Sequence, residues 1–291
     1  VRAPGAAVTS VRVRSAGRHA IAARRGRAPA RVIAAFERSC YIETEAGLAC
    51  LGTHALGNGP LNALCDTLPR TAPGDLLLVD LAAAVLWQPA ALPPWRAADM
   101  RAALARLSKA AARSAPLEGF AFLLAPGARE DAPLLSHAGA AAALAAWIAA
   151  AARAECADSS EPSAPLPPVP PGTAALVGLG PGLTPAGDDL LGGALAALHA
   201  AGRAGIAGTL AAWVLPLAQH GTSRISRAHL ACAARGETGE AVHGMLGALL
   251  AGGADLEDPL ARVAAVGHTS GWDALAGAAL AFTALDAPGK V

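Results

Sequence analysis

Apolar residues in the first half of the chain fall in short runs, Ala30 to Phe36, Ser39 to Thr44, Leu76 to Leu81 and Gly119 to Leu124, separated by turn signals such as Gly57-Asn58-Gly59-Pro60. That spacing predicts short strands. Two longer stretches, Ala97 to Ser114 and Leu134 to Glu155, carry apolar residues at helical intervals and predict helices. Beyond Thr173 to Leu179, which reads as one more short strand, the helical period takes over. It predicts helices over Pro185 to Ala200, Ala207 to Gln219, Ser223 to Ala234, Glu237 to Leu250, Pro259 to Val266 and Gly271 to Leu285. Gly202, Gly236, Gly252 and Gly267 stand where helix ends call for a left-handed residue.

The pattern changes most sharply at Cys156 to Gly172, where prolines are too dense for helix or central strand. With 291 residues the chain is long enough for two cores. The expected architecture is α+β: a mixed α/β domain of short strands over 1–155, a proline-rich linker over 156–172, and a mostly α-helical domain over 173–291.

Composition narrows the function classes. Apolar residues make up 54%, much of it alanine, which predicts helices in close contact through small side chains. The net charge of +1 gives no electrostatic case for nucleic acid or an acidic membrane surface. Arg2, Arg12, Arg14, Arg18, Arg24, Arg25, Arg27 and Arg31 form a basic N-terminal stretch, read as a solvated face or a contact for an acidic partner subunit. That stretch lacks the continuous apolar segment of a secretory signal. The apolar run Ala138 to Ala152 is shorter than the roughly 20 residues of a spanning helix. Five scattered cysteines (Cys40, Cys50, Cys65, Cys156, Cys232) without a C-x-x-C pair fit a reducing cytoplasm.

The chemistry concentrates at Gly178-Leu-Gly180-Pro-Gly182-Leu-Thr184-Pro-Ala-Gly187-Asp188-Asp189. Glycines before a helix start expose backbone N–H groups and the positive end of the helix, which seats phosphate or carboxylate. Two carboxylates in the same place oppose a bare anion, by about 1 kcal/mol in water at ~4 Å and several times that at a protein surface. Two offsets are open: a divalent cation, magnesium by its oxygen ligands, held by Asp188 and Asp189, or a substrate with amide N–H donors beside its anionic group. Neither the G-x-x-x-x-G-K-[ST] loop nor a G-x-G-x-x-G in a βαβ setting is present.

A second segment echoes the first. Thr184 to Gly192 and Thr269 to Gly277 both read T-x-x-x-D-x-L-x-G, pairing Asp188 with Asp273. Capping and helix-dipole preferences account for such a pattern on structural grounds alone. The turn Gly267-His268-Thr269-Ser270-Gly271 adds a histidine suited to proton transfer near neutral pH. A further helix start places Thr222, Ser226 and His229 along one face, its hydroxyls reading as caps or, for Ser223 or Ser226, as groups reaching a ligand shared with the aspartates. The candidate catalytic groups are Asp188, Asp189 and His268. Candidate ligand-binding residues are Gly178, Gly180, Gly182, Thr184, Gly187, Thr222, Ser223, Ser226, Ser270 and Asp273. Cys232, Trp147, Trp213 and Trp272 read as packing residues, and His54 and Asn58 as turn residues.

G-L-G-P-G-L-T-P-A-G-D-D-L-L-G-G, then T-S-R-I-S with A-A-R-G-E, then G-H-T-S-G-W-D-A-L-A-G occur in that order. In these motifs the chain resembles the family that contains the AllH-type subunit of oxamate carbamoyltransferase. The likeness is specific in the C-terminal part and loose before it, where the G-N-G-P-L turn is the best match. It implies a subunit of a multi-subunit enzyme of purine-nitrogen (allantoin) breakdown, exchanging a carbamoyl group between phosphate and oxamate, with partner subunits and a small carboxylate or carbamoyl phosphate as ligand. The S-T-R-T phosphate loop of ordinary carbamoyltransferases is absent, so such chemistry would need another architecture. Two other classes fit the same motifs: a non-catalytic metabolite-binding or assembly protein, and a magnesium-dependent helical hydrolase.

Overall fold

In the computed structural model, which describes residues 9–21, 26–45, 47–125, 131–157 and 166–287, the chain divides into two units, Val1–Ala90 and Ala91–Val291. The first is a sheet of β1 (Thr9–Ala16), β2 (Arg27–Ala35), β3 (Ser39–Thr44), β4 (Gly47–Gly52), β5 (Asn62–Cys65), β6 (Leu76–Asp80) and β7 (Val85–Leu86), with a short helix α1 (Arg18–Ile21) after β1. Its order is β5-β4-β3-β2-β6-β1-β7, and β5 also pairs with β1, so six strands close into a barrel and β7 extends one side. Alternation fills the inside: Val11, Val13, Ala30, Val32, Ile42, Leu51, Leu77 and Val79 are buried together, while Arg12, Arg14, Arg27 and Arg31 face out.

The second unit is helical: α2 (Ala97–Ser114), α3 (Ala138–Ala157), α4 (Ala186–Ala200), α5 (Ala204–Gly221), α6 (Arg224–Ala233), α7 (Glu240–Leu250), α8 (Glu257–Ala264) and α9 (Ser270–Asp286). Each predicted helix is present to within a few residues. Gly202, Gly236, Gly252 and Gly267 have φ of 74°, 76°, 90° and 60°, the left-handed ends that the sequence predicts.

Three expectations are corrected. Gly119 to Leu124 is not a strand but a turn leading into a single 3-10 turn, Ala121–Leu124; Gly119 has φ 69°, and the Phe120 N–H is taken by a side chain. Thr173 to Leu179 likewise is not a strand: its first four residues belong to the 3-10 turn Pro171–Leu176. The break between units falls at Ala90/Ala91 and not in the proline-rich stretch. Met100 and Leu107 of α2 and Leu144 and Ile148 of α3 share one core with Leu190 and Phe282, so both helices belong to the second unit.

Of the expected linker, residues 158–165 lie outside the described residues. The described end of it is packed rather than extended into solvent: Trp147 Nε1 donates to Pro167 O at 2.8 Å and Val169 is buried. The apolar helical stretch reaches Leu135–Glu155, long and apolar enough to cross a membrane by length and composition, and longer than the run singled out in the sequence. Within the structure its Leu144, Trp147, Ile148 and Ala151 are buried in the helical core.

Candidate functional site

Helices α4 and α9 lie side by side, and the glycines that permit it are reciprocal. A Cβ on Gly193 would stand 1.8 Å from Ala274 O, and one on Gly277 would stand 1.9 Å from Leu190 O. The two helix starts match as well: Gly187 N donates to Leu179 O at 2.9 Å and Gly271 N to Val266 O at 3.1 Å. Asp189 N reaches Pro185 O at 3.1 Å as Asp273 N reaches Thr269 O at 2.9 Å. Residues 187–200 and 271–284 therefore correspond as an internal duplication, both reading G-x-D-x-L-x-G-A-x-x-A-x-x-A.

This shifts the sequence register by one residue: Asp189, not Asp188, is the counterpart of Asp273. The capping threonines misled the alignment, since neither Pro185 nor Thr269 at the two N-caps makes a side-chain capping bond.

Asp188 is buried and committed. Gly178 N donates to its Oδ1 at 2.8 Å, Ser226 Oγ to its Oδ2 at 2.6 Å, and Thr222 Oγ1 also to Oδ2. Three donors occupy most of a carboxylate's roughly four acceptor positions. Asp188 thus ties the glycine turn to the start of α6. Ser223 makes the same connection from the other side, capping α6 through Ser226 N at 3.0 Å and donating to Leu183 O. Gly178 and Gly187 are required for the fit, because a Cβ on either would lie 2.0 Å from a backbone oxygen, Gly221 O or Leu176 O.

Asp189 is different in kind. One helix residue on, it turns toward α9 and the Ser270 and Thr184 hydroxyls, and among the described residues its Oδ2 is buried without a partner. Burial raises its pKa well above the ordinary carboxylate value, Asp273 and Asp188 push it further up, and the Ser270 and Thr184 hydroxyls hold it back. Those two hydroxyls bond each other at 3.0 Å, joining the glycine turn to the start of α9.

Asp273 is fully buried. Its Oδ1 accepts the Phe120 N–H at 2.6 Å while its Oδ2 has no partner. Burial lifts its pKa to about 6 against the opposing effect of the Phe120 and Thr269 hydrogen bonds. The Phe120 amide is a contact of Asp273 that the sequence reading overlooked, and the glycine before it was its signal.

Raised carboxyl pKa values mean that the folded chain binds more protons than the unfolded one. Their contribution to stability is full below the ordinary carboxylate range and is lost as pH rises through the folded value. For Asp273 the window runs from 3.8 to about 6, a loss on the order of 3 kcal/mol at about 1.36 kcal/mol per pKa unit. Urea unfolding across that window is expected to fall more steeply for the native chain than for Asp273→Asn, which keeps the acceptor for Phe120. Parallel pH profiles would refute the assignment.

The turn itself is open. Gly180 and Gly182 have φ of 111° and 92°, and a Cβ on Gly182 would meet nothing within 4 Å. Among the described residues, the N–H groups of Gly180, Gly182, Leu183 and Thr184 have no hydrogen-bond acceptor. His268 is exposed on the neighbouring turn. His229, on the α6 face with Thr222 and Ser226, is pushed down to about 4 by burial and stays neutral. The oxygens of Asp188, Asp189 and Asp273 do not gather within 4.8 Å as a three-ligand metal set. Two hollows, one on the barrel and one between α2 and α8, do not include the glycine turn.

The family model described as "Oxamate carbamoyltransferase subunit AllH" matches residues 176–282, from the glycine turn through both duplicated helix starts into α9. The resemblance carried by the motifs is thereby borne out over residues 176–282; the match does not extend to α2, α3 or the barrel. No curated protein and no solved structure matches the chain.

Proposed function

We propose, from the match of residues 176–282 to this carbamoyltransferase subunit family, that the chain is a subunit of a carbamoyltransferase-type enzyme working between oxamate and carbamoyl phosphate with partner subunits in the cytoplasm. The small carboxylate or carbamoyl phosphate binds at the turn Gly178–Gly187, with Asp189 beside it. The observation that carries this is the contrast between neighbours: Asp188 holds three donors, whereas Oδ2 of Asp189 is buried without a partner at the helix start that follows a turn of backbone N–H groups with no acceptor among the described residues.

That contrast also removes the electrostatic objection to an anion. The charge of Asp188 is offset by its donors, and the raised pKa of Asp189 keeps its carboxyl protonated to unusually high pH. Protonated, it presents an O–H to a carbonyl or carboxylate oxygen; ionised, it accepts an amide N–H. The free N–H groups of the turn take the remaining anionic oxygens. Catalysis by such a site rests on placement and electrostatic stabilisation, not on a covalent step. Three donors already occupy most of the acceptor positions of Asp188, which leaves Asp189 as the carboxylate with room for a further ligand.

Asp189→Asn keeps the size and an acceptor but loses the titratable proton. In the complex with its partner subunits it is expected to cut kcat/KM by about 100-fold, the scale of one lost polarising donor, while the chain stays folded. Unchanged turnover of oxamate and carbamoyl phosphate would end the assignment of this turn as the site.

A further inference from the structure

The outer face of the barrel carries a polar hollow of about 340 Å³, lined by Arg12, Arg14, Arg27, Asp66, Thr67 and Asp80. Strand register builds it. Arg12 on β1 and Arg27 on β2 both stand opposite Asp80 on the intervening β6, so the three side chains form one row across the sheet. Arg14 follows Arg12 on the same outward face.

Two of the three guanidinium groups are partly engaged. Arg14 donates from Nε at 2.8 Å and Nη2 at 2.7 Å to a single oxygen of Asp66, and Arg27 donates from Nε to Asp80 Oδ2 at 3.3 Å. The other oxygen of Asp80 accepts the Ala82 N–H at 3.0 Å. Arg12 makes no hydrogen bond or ion pair with any described residue, although its charge is felt by both aspartates. Three guanidinium groups against two carboxylates leave the hollow with one uncompensated positive charge, centred on the fork best suited to an oxyanion.

The geometry points to this hollow as a second ligand site, one for the phosphate or carboxylate group of a small metabolite, with Arg12 as its primary anchor and the free edges of Arg14 and Arg27 as its flanks. A nucleic-acid backbone fits less well. It needs a series of unpaired cations along its path, and here two of the three are tied to carboxylates inside one small concavity.

Inorganic phosphate and oxamate are suitable probes, titrated calorimetrically into the full chain at low ionic strength. The native chain is expected to bind one of them at millimolar concentration or tighter at this site. Arg12→Gln, a change on an exposed strand face, is expected to weaken that binding by about tenfold, and Asp80→Asn to strengthen it by removing a competing charge. The part of the binding that Arg12→Gln weakens is expected to persist in Asp189→Asn, which separates this site from the glycine turn. Three results would overturn the inference: no binding by the native chain, the same affinity in Arg12→Gln, or tighter binding of a single-stranded oligonucleotide than of either small anion.

Discussion

Gly193→Ala is expected to destabilise the helical unit by about 3 kcal/mol or more, lowering its thermal midpoint by roughly 10 °C. The added methyl would sit 1.8 Å from Ala274 O and 2.6 Å from its carbonyl carbon, and backbone atoms cannot swing aside as a side chain can. The two helices would have to part along their whole contact, which buries Leu190, Ala194, Leu198, Ala278 and Phe282. The neighbouring glycine provides the control. A Cβ on Gly192 meets only Ala233 Cβ, at an ordinary 3.7 Å, so Gly192→Ala is expected to stabilise by up to about 1 kcal/mol through helix propensity. Opposite signs at adjacent positions, read by tryptophan fluorescence, are the prediction; equal effects would mean that α4 and α9 do not approach as described. Gly277→Ala is expected to repeat the loss seen at Gly193, since its Cβ would lie 1.9 Å from Leu190 O.

The helices were legible because their apolar period is long and their glycine ends are explicit. The boundaries of α2 coincide with the predicted Ala97 to Ser114. Strands were harder. β1, T-S-V-R-V-R-S-A, has only two β-branched apolar residues among arginines, and its alternation reads equally well as a solvated basic stretch. β4, G-L-A-C-L-G, is built from small residues that carry little strand preference. Its burial comes from closing the barrel through β5, a non-local event with no local signature.

The unit boundary was misplaced for a related reason: prolines mark irregular chain, but only packing decides whether that chain separates two cores or lies across one. At the candidate site, the sequence singled out Asp188 and Asp189 together and could not divide their labour. Asp188 and Asp189 look alike on paper, yet adjacent helix positions point about 100° apart. One therefore faces Gly178, Thr222 and Ser226 while the other faces the start of α9.

That division makes Asp188 a matter of stability, where the proposed function assigns Asp189 to chemistry. Asp188→Ala removes the acceptor for the Gly178 N–H and for the Thr222 and Ser226 hydroxyls, and it leaves Ser226, itself 1% exposed, without a partner. Unsatisfied buried donors and lost charge-assisted bonds together are expected to cost about 3–5 kcal/mol. Asp188→Asn keeps an oxygen for Gly178, and the two hydroxyls can turn to accept from its amide, so a cost of about 1–2 kcal/mol is expected. Four of the chain's five tryptophans, Trp95, Trp147, Trp213 and Trp272, lie in the helical unit, so urea unfolding followed by their fluorescence measures the effect directly. If Asp188→Ala loses less than Asp188→Asn, the carboxylate does not hold the turn to α6. If Asp189→Asn proves as destabilising as Asp188→Ala, the distinction on which the proposed site rests is gone.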